Sequence, residues 1–185
     1  MIHKKINLIL VGGNRINEIG PLDSLIKLKK KHKINIEFFT DNLHLKKKVS
    51  HNMSFMEYLK KKNFSYSLIK SKADLHKKLF LFSKGSNNFI LLCNCIFIIN
   101  KKIIRLFENR IFNYHLASLP SQRGAAWASW QLMEGSSSST ATIHRVHCEI
   151  DKGEIVVEED IDLVDCNTPK EFYDKARTKE YRLFE

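Results

Sequence analysis

Two side chains near the middle of the chain are spaced for chemistry. Asn113 and His115 stand two residues apart at the end of an apolar run. Alternate residues of a β-strand project the same way, so both would face one site. Asn113 offers an amide N–H with no charge to desolvate. His115 titrates near neutrality and can take or give a proton. A carboxylate beside it would orient the ring and favour its cationic form. Asp151 is the candidate. It lies 36 residues after His115, in an Asp-Lys-Gly turn. Strand, loop, helix, loop and strand fit in that interval. Taken singly, each residue has a plainer explanation: a strand-end Asn and His making local hydrogen bonds, and an Asp in a turn.

The elements that must position these residues alternate along the chain. Ile6 to Val11 reads as a first buried strand ending in Gly12-Gly13-Asn14. This is not a dinucleotide fingerprint. Gly12 and Gly13 either bring backbone close to a phosphate or make a tight turn. Pro21-Leu22-Asp23 opens a helix with apolar residues at 22, 25, 26 and 28. Ile34 to Phe39 is the second strand, and the polar stretch Asp41 to His51 reads as a loop. Ser54, with Glu57 three residues on, starts a short helix through a capping box. Phe64 to Ile69 is a third strand, followed by a helix over Ala73 to Phe82. Phe89 to Cys95 is the most apolar strand, of the kind buried on both faces of a parallel sheet. A short helix over Ile103 to Phe107 leads to the strand Arg110 to His115. Arg123 to Met133 is expected to be the next helix, and Ser136 to Ser139 a flexible connection. Thr140 to Val146 and Glu154 to Ile161 alternate as strands, and Thr168-Pro169 caps a last helix reaching about Arg182. The alternation predicts an α/β fold, a Rossmann-like, mostly parallel sheet with helices on both faces. Ligands of such sheets sit at strand C-terminal ends, where Asn113 and His115 fall.

At 185 residues the chain is read as a single domain over 1–185, with material for a real core. Its longest apolar run, Phe89 to Ile99, is too short to span a membrane, and the N-terminus lacks a signal-peptide pattern. Cys93, Cys95, Cys148 and Cys166 lack zinc-site spacing, so free thiols in a reducing cytoplasm are expected, and no metal. Cys148, close in sequence to Asp151, suggests a thiol enzyme, although His144 and His147 alternate badly with it for a Cys-His dyad, and His144 with His147 suggests a metal site; both rank below the Asn, His and Asp set. The net charge of +11 is uneven. Residues 1–110 carry 23 Lys and Arg against 7 Asp and Glu, a net of +16, and residues 111–185 carry 8 against 13, a net of −5. A nucleic-acid footprint is one reading. The lysine runs are not interleaved with aromatics, so solvated helix faces are preferred. A basic face can still attract an anionic substrate.

The run N-Y-H-L-A-S-L-P-S-Q-R-G, followed by D-K-G, resembles the formyltransferases that use 10-formyltetrahydrofolate. Their pattern is close to N-x-H-x-S-L-L-P-x-x-R-G and then D-x-G. Asn113, His115 and Asp151 match the catalytic Asn, His and Asp. Ser118, Leu119, Pro120, Arg123 and Gly124 match the loop, and Gly153 completes the second motif. Ala117-Ser118-Leu119-Pro120 departs from the P-S-L-L-P common in the family. The resemblance implies the formyltransferase fold and formyl transfer to an amine, in which the amine itself attacks. Asn113 would then serve the formyl oxygen, and His115 the amine proton.

By order in the fold, Leu91, Leu92, Cys93 and Asn94 are implied contacts of the folate donor. The loop Val146, His147, Cys148, Glu149 and Ile150 is implied to meet the pterin through its backbone. Candidate substrate contacts are Gly12, Gly13 and Asn14, together with Arg123, Trp127 and Trp130; the two Trp residues either stack on a sugar or base or belong to the core. No C-terminal RNA-binding domain is expected after the last helix. The acceptor favoured is the primary amine of a nucleotide-linked amino sugar, for polysaccharide biosynthesis. Glycinamide ribonucleotide, in purine synthesis, is the alternative within the family. A noncatalytic basic RNA-binding module is the alternative outside it. The expected setting is cytoplasmic, with no membrane or nucleic-acid partner and a homodimer as one option for assembly.

Overall fold

The computed structural model describes residues 5–12, 25–27, 29, 31–32, 34–50 and 53–183. Seven strands form one sheet. They are β1 (Ile6–Gly12), β2 (Ile34–Thr40), β5 (Ser65–Leu68), β6 (Asn88–Cys93), β7 (Ile111–His115), β8 (Ser138–Arg145) and β9 (Ile155–Asp162). Their order across the sheet is β5-β2-β1-β6-β7-β8-β9. The first five in that order run parallel, and β8 and β9 are antiparallel additions. Chain order reverses direction between β1 and β6, which makes their C-terminal ends the switch point where open α/β sheets hold ligands. A two-stranded ribbon, β3 (Lys48–Ser50) and β4 (Met53–Ser54), stands apart.

Besides helical residues at 25–27, 29 and 31, the helices among the described residues are α1 (Asn42–Lys46), α2 (Phe55–Lys61), α3 (Lys72–Phe82), α4 (Lys101–Phe107), α5 (Trp127–Met133) and α6 (Pro169–Leu183). Period-two burial sends side chains of one strand into two cores. On one face Leu10, Ile36, Phe38 and Leu91 pack with Phe55 and Leu59 of α2 and Phe172 of α6. On the other, Ile9, Val11, Ile90 and Leu92 pack with Leu75 and Leu79 of α3 and Phe107 of α4. Each fully buried Leu or Phe is worth about 2 kcal/mol of transfer free energy. Such strands read as continuous apolar runs because neither face meets water. No helix among the described residues is long and apolar enough to cross a membrane.

Local signals place several boundaries. Ser54 Oγ accepts from the Glu57 N–H while the Glu57 carboxylate accepts from the Ser54 N–H, completing the capping box of α2. Thr168 and Glu171 exchange the same bonds at the start of α6. Three expectations are corrected. Of the stretch expected as a loop, the described part, 41–50, is not one: Asp41 caps α1, and Leu45 and Val49 supply buried anchors that a short polar segment hides. The helix expected from Arg123 begins only at Trp127, because Gly124 (φ 94°) and Ala126 (φ 66°) hold left-handed backbone. Ser138 and Ser139 belong to β8, where pairing with β9 overrides their turn propensity. The helix expected from Pro21 is described only at 25–27, 29 and 31, and its start lies outside the described residues.

Candidate active site

β7 carries Asn113 and His115 to the C-terminal side of the sheet, next to the end of β6. The β8–β9 loop brings Asp151 back to them. That return depends on Gly153, where a Cβ would lie 1.6 Å from the Arg145 carbonyl oxygen. Asp151 itself adopts φ 50°, a left-handed conformation that Asp tolerates better than most residues.

The Asp151 carboxylate is the hub. Its Oδ1 accepts from Asn113 Nδ2 at 3.3 Å, and its Oδ2 accepts from the Gly124 N–H at 2.9 Å. His115 Nδ1 lies 3.9 Å from Oδ2, and His144 Nε2 3.4 Å from Oδ1. Burial opposes ionisation of Asp151. The hydrogen bonds from His144 and Gly124 and the charge of the histidines prevail and hold it below the usual carboxylate range.

His115 is oriented from its far side. Its Nε2–H donates to the Gln122 carbonyl oxygen at 2.8 Å, so the neutral ring keeps its lone pair at Nδ1, towards Asp151. Gln122 is itself clamped: its N–H donates to the Ser118 carbonyl, and its Oε1 accepts from the Ser118 N–H. Burial lowers the His115 pKa, with the Gln122 carbonyl and Asp151 opposing and His144 adding to the fall. The ring is thereby favoured as a neutral base near neutrality.

A cavity of about 380 Å³ opens onto this cluster. Asn113, His115, His144 and Asp151 all border it. Of the nine implied donor contacts, Leu92, Asn94, Val146, His147, Cys148, Glu149 and Ile150 line it. Leu91 and Cys93 do not, because strand alternation turns them into the core on the α2 side. Trp127 lines the cavity and donates its Nε1–H to the Arg123 carbonyl. Trp130 is 51% exposed and stands outside it, as does the exposed side chain of Arg123. Gly12 borders a second, small cavity across the Asn94–Phe97 segment, at the β1–β6 switch point. A Cβ there would sit 1.8 Å from the Cys93 carbonyl oxygen, so close strand approach requires glycine. Gly13 and Asn14 lie outside the described residues.

Two contributors were not legible as partners of Asn113, His115 and Asp151; the sequence marks His144 only as a low-ranked metal ligand. His144, only 1% exposed, faces Asn113 in the antiparallel register of β7 and β8. Its signal was Thr142 and His144 alternating on a strand, which register alone converts into a neighbour of Asn113. Gln122 acts through its backbone carbonyl, which leaves no trace in side-chain identity.

The formyl transferase family model, "Formyl transferase", matches residues 21–185. Among curated relatives, the methionyl-tRNA formyltransferase of Rickettsia canadensis is 32% identical over 100 residues, 54% of this chain and 33% of that protein. The Rickettsia felis enzyme is 31% identical over a stretch of the same length. The matched region thus spans about a third of these relatives' length. Among solved structures, glycinamide ribonucleotide transformylase 1 from Symbiobacterium toebii superposes with a TM-score of 0.76 at 15% identity, covering 97% of this chain and 84% of that one. A sugar 3N-formyl transferase, solved in the presence of dTDP and 5-N-formyl-THF, gives 0.69 at 18% identity, covering 97% and 60%. At such identities the structural likeness shows the fold alone.

Proposed function

The chain belongs to the formyl transferase family, and from that premise we propose that it transfers a formyl group from 10-formyltetrahydrofolate to the primary amine of a nucleotide-linked amino sugar. The observation that carries the reaction is the convergence of the Asn113 amide, the His115 ring and the Asp151 carboxylate on one cavity.

The cavity fits the donor. Its volume lies in the range of small-molecule sites, and its walls are mostly apolar, with Leu92, Phe97, Ile98 and Val146 among them. The polar cluster stands at its border, where a reacting group would meet it. When bound, the donor supplies the formyl carbon that the acceptor amine attacks and a nitrogen that leaves with a proton. Asn113 donates to the formyl oxygen as negative charge develops there. His115 Nδ1 takes the proton of the attacking amine and returns it to the departing nitrogen, so no net proton is consumed. Asp151 stabilises the imidazolium in between. The apolar walls exclude water, which would compete with the amine.

Support for a nucleotide-linked acceptor comes from three directions. Gly12 borders the small cavity at the switch point. The net of +16 on residues 1–110 favours an anionic substrate. One structural neighbour is a sugar formyl transferase. The curated relatives favour a second reading, with methionyl-tRNA as acceptor; the glycinamide ribonucleotide transformylases of the same fold favour glycinamide ribonucleotide.

The test is a panel of acceptors with 10-formyltetrahydrofolate: dTDP-linked amino sugars, glycinamide ribonucleotide and methionyl-tRNA. Release of tetrahydrofolate is followed, with His115→Ala as control. Turnover with an amino sugar, lost in the control, supports the proposal. Turnover confined to either other acceptor replaces the substrate and keeps the chemistry. Absence of donor binding by the folded protein overturns both.

A further inference from the structure

Asn113 has two amide hydrogens, and while His144 Nε2 carries no proton both are spent inside the protein. One meets His144 Nε2 at 3.1 Å and the other Asp151 Oδ1 at 3.3 Å. An amide committed in this way has no hydrogen left for a substrate oxygen. Turning the amide over gives no relief, since its oxygen would then face the Asp151 carboxylate, acceptor against acceptor. Yet Asn113 borders the cavity.

His144 resolves the conflict. Its Nδ1 lies 2.9 Å from the Arg145 carbonyl oxygen, which can only accept, so Nδ1 carries a hydrogen. A neutral His144 therefore presents a lone pair at Nε2, and Asn113 donates to it. A doubly protonated His144 presents an N–H at the same atom, 3.4 Å from Asp151 Oδ1. It can no longer accept from Asn113.

We propose that His144 is a positioning residue that governs the Asn113 amide: neutral, it holds the amide inward; protonated, it bonds to Asp151 and releases one Asn113 N–H into the cavity. The identity of the oxygen that receives this N–H rests on the formyl-transfer reading. The exchange of partners does not.

The surroundings suit a switch between two discrete arrangements. His144 is fixed opposite Asn113 by strand register. The charged and titratable groups that face it are Asp151, from the β8–β9 loop, and His115 of β7, whose ring stands edge-on with centroids 6.2 Å apart. β9 pairs Ile155 against it, and α6 brings Tyr173 to the same cavity. One carboxylate serves both imidazoles, through Oδ1 for His144 and Oδ2 for His115. Release of the Asn113 N–H requires a proton on His144, and the base requires none on His115 Nδ1, whose pKa burial lowers. The His144 proton is not consumed, because the amine proton travels by way of His115.

The test reads the amide directly. Protein carrying ¹⁵N-labelled Asn side chains and His rings is titrated from about pH 5 to about pH 8, where histidine changes charge. The Asn113 signal is assigned by its loss in Asn113→Ser. The expected result is that the Asn113 amide shift and the His144 ring share one midpoint. That transition persists in His115→Gln and disappears in His144→Gln, whose amide can donate to Asp151 but cannot titrate. His144→Leu, an apolar replacement, serves if the Gln variant does not fold. An Asn113 signal that is flat across the range, or that follows His115 alone, overturns the proposal. A second readout is kinetic. With an acceptor found active, wild-type kcat falls about tenfold per pH unit above the His144 midpoint, and His144→Gln loses that alkaline fall. A variant that is slower by one factor at every pH overturns the switch. If the folded protein does not bind the donor, the formyl-transfer reading fails and the titration still decides the switch.

Discussion

Asp151→Asn tests the centre of the site with almost no change of shape. The side-chain oxygen can still accept from the Gly124 N–H, so the loop keeps its anchor. What disappears is a negative charge 3.9 Å from His115 Nδ1, between side chains that are 9% and 11% exposed. At the effective dielectric suited to partly buried pairs, unit charges at about 4 Å attract by about 4 kcal/mol. The imidazolium exists only while His115 holds the amine proton, so the loss falls on the transition state. Each 1.36 kcal/mol is tenfold in rate, so kcat should drop by up to about a thousandfold, with little change in the donor KM. The acid limb of the pH–rate profile should also move. Asp151 opposes the burial that lowers the His115 pKa, so its removal sends that pKa lower still and shifts the limb to lower pH. The assay is tetrahydrofolate release under saturating acceptor, with thermal unfolding as a check on the fold. Retention of kcat within about threefold in a folded variant would refute the role given to the carboxylate.

Three further outcomes are expected. Gly153→Ala forces a Cβ against the Arg145 carbonyl, displaces the β8–β9 loop and carries Asp151 away from His115; activity should vanish and chemical denaturation should show a loss of about 3 kcal/mol. Trp127→Ala removes a wall of the cavity and should raise the donor KM, whereas Trp130→Ser, on the exposed side of α5, should leave kinetics and stability unchanged within about 0.5 kcal/mol. The depressed pKa of Asp151 stabilises the fold above the unfolded value near 4, and that contribution is lost as pH falls through the lower folded value. Urea titrations should therefore show the gap between wild type and Asp151→Asn closing in acid.

The spacing of Asn113 and His115 was enough to put both on one side of a strand, because strand periodicity is a local property. Continuous apolar runs likewise made β1 and β6 legible, because both faces of those strands are covered, and the capping pairs Ser54–Glu57 and Thr168–Glu171 marked two helix starts, since their hydrogen bonds close within three residues. The stretch 41–50 was not legible. A five-residue helix and a three-residue strand carry too few residues for a period to show, and their buried anchors answer to α2 rather than to their neighbours in sequence. The start of α5 was hidden for a related reason: Ala126 takes a left-handed backbone that no local preference of alanine suggests. The arrangement around Asp151 belongs to the tertiary structure alone. Antiparallel register sets His144 against Asn113, a glycine contact at Arg145 returns the loop, and the carbonyl of Gln122 chooses the nitrogen that His115 presents. Register, close backbone approach and a backbone acceptor depend on how distant segments meet, and the identity of one residue records none of them.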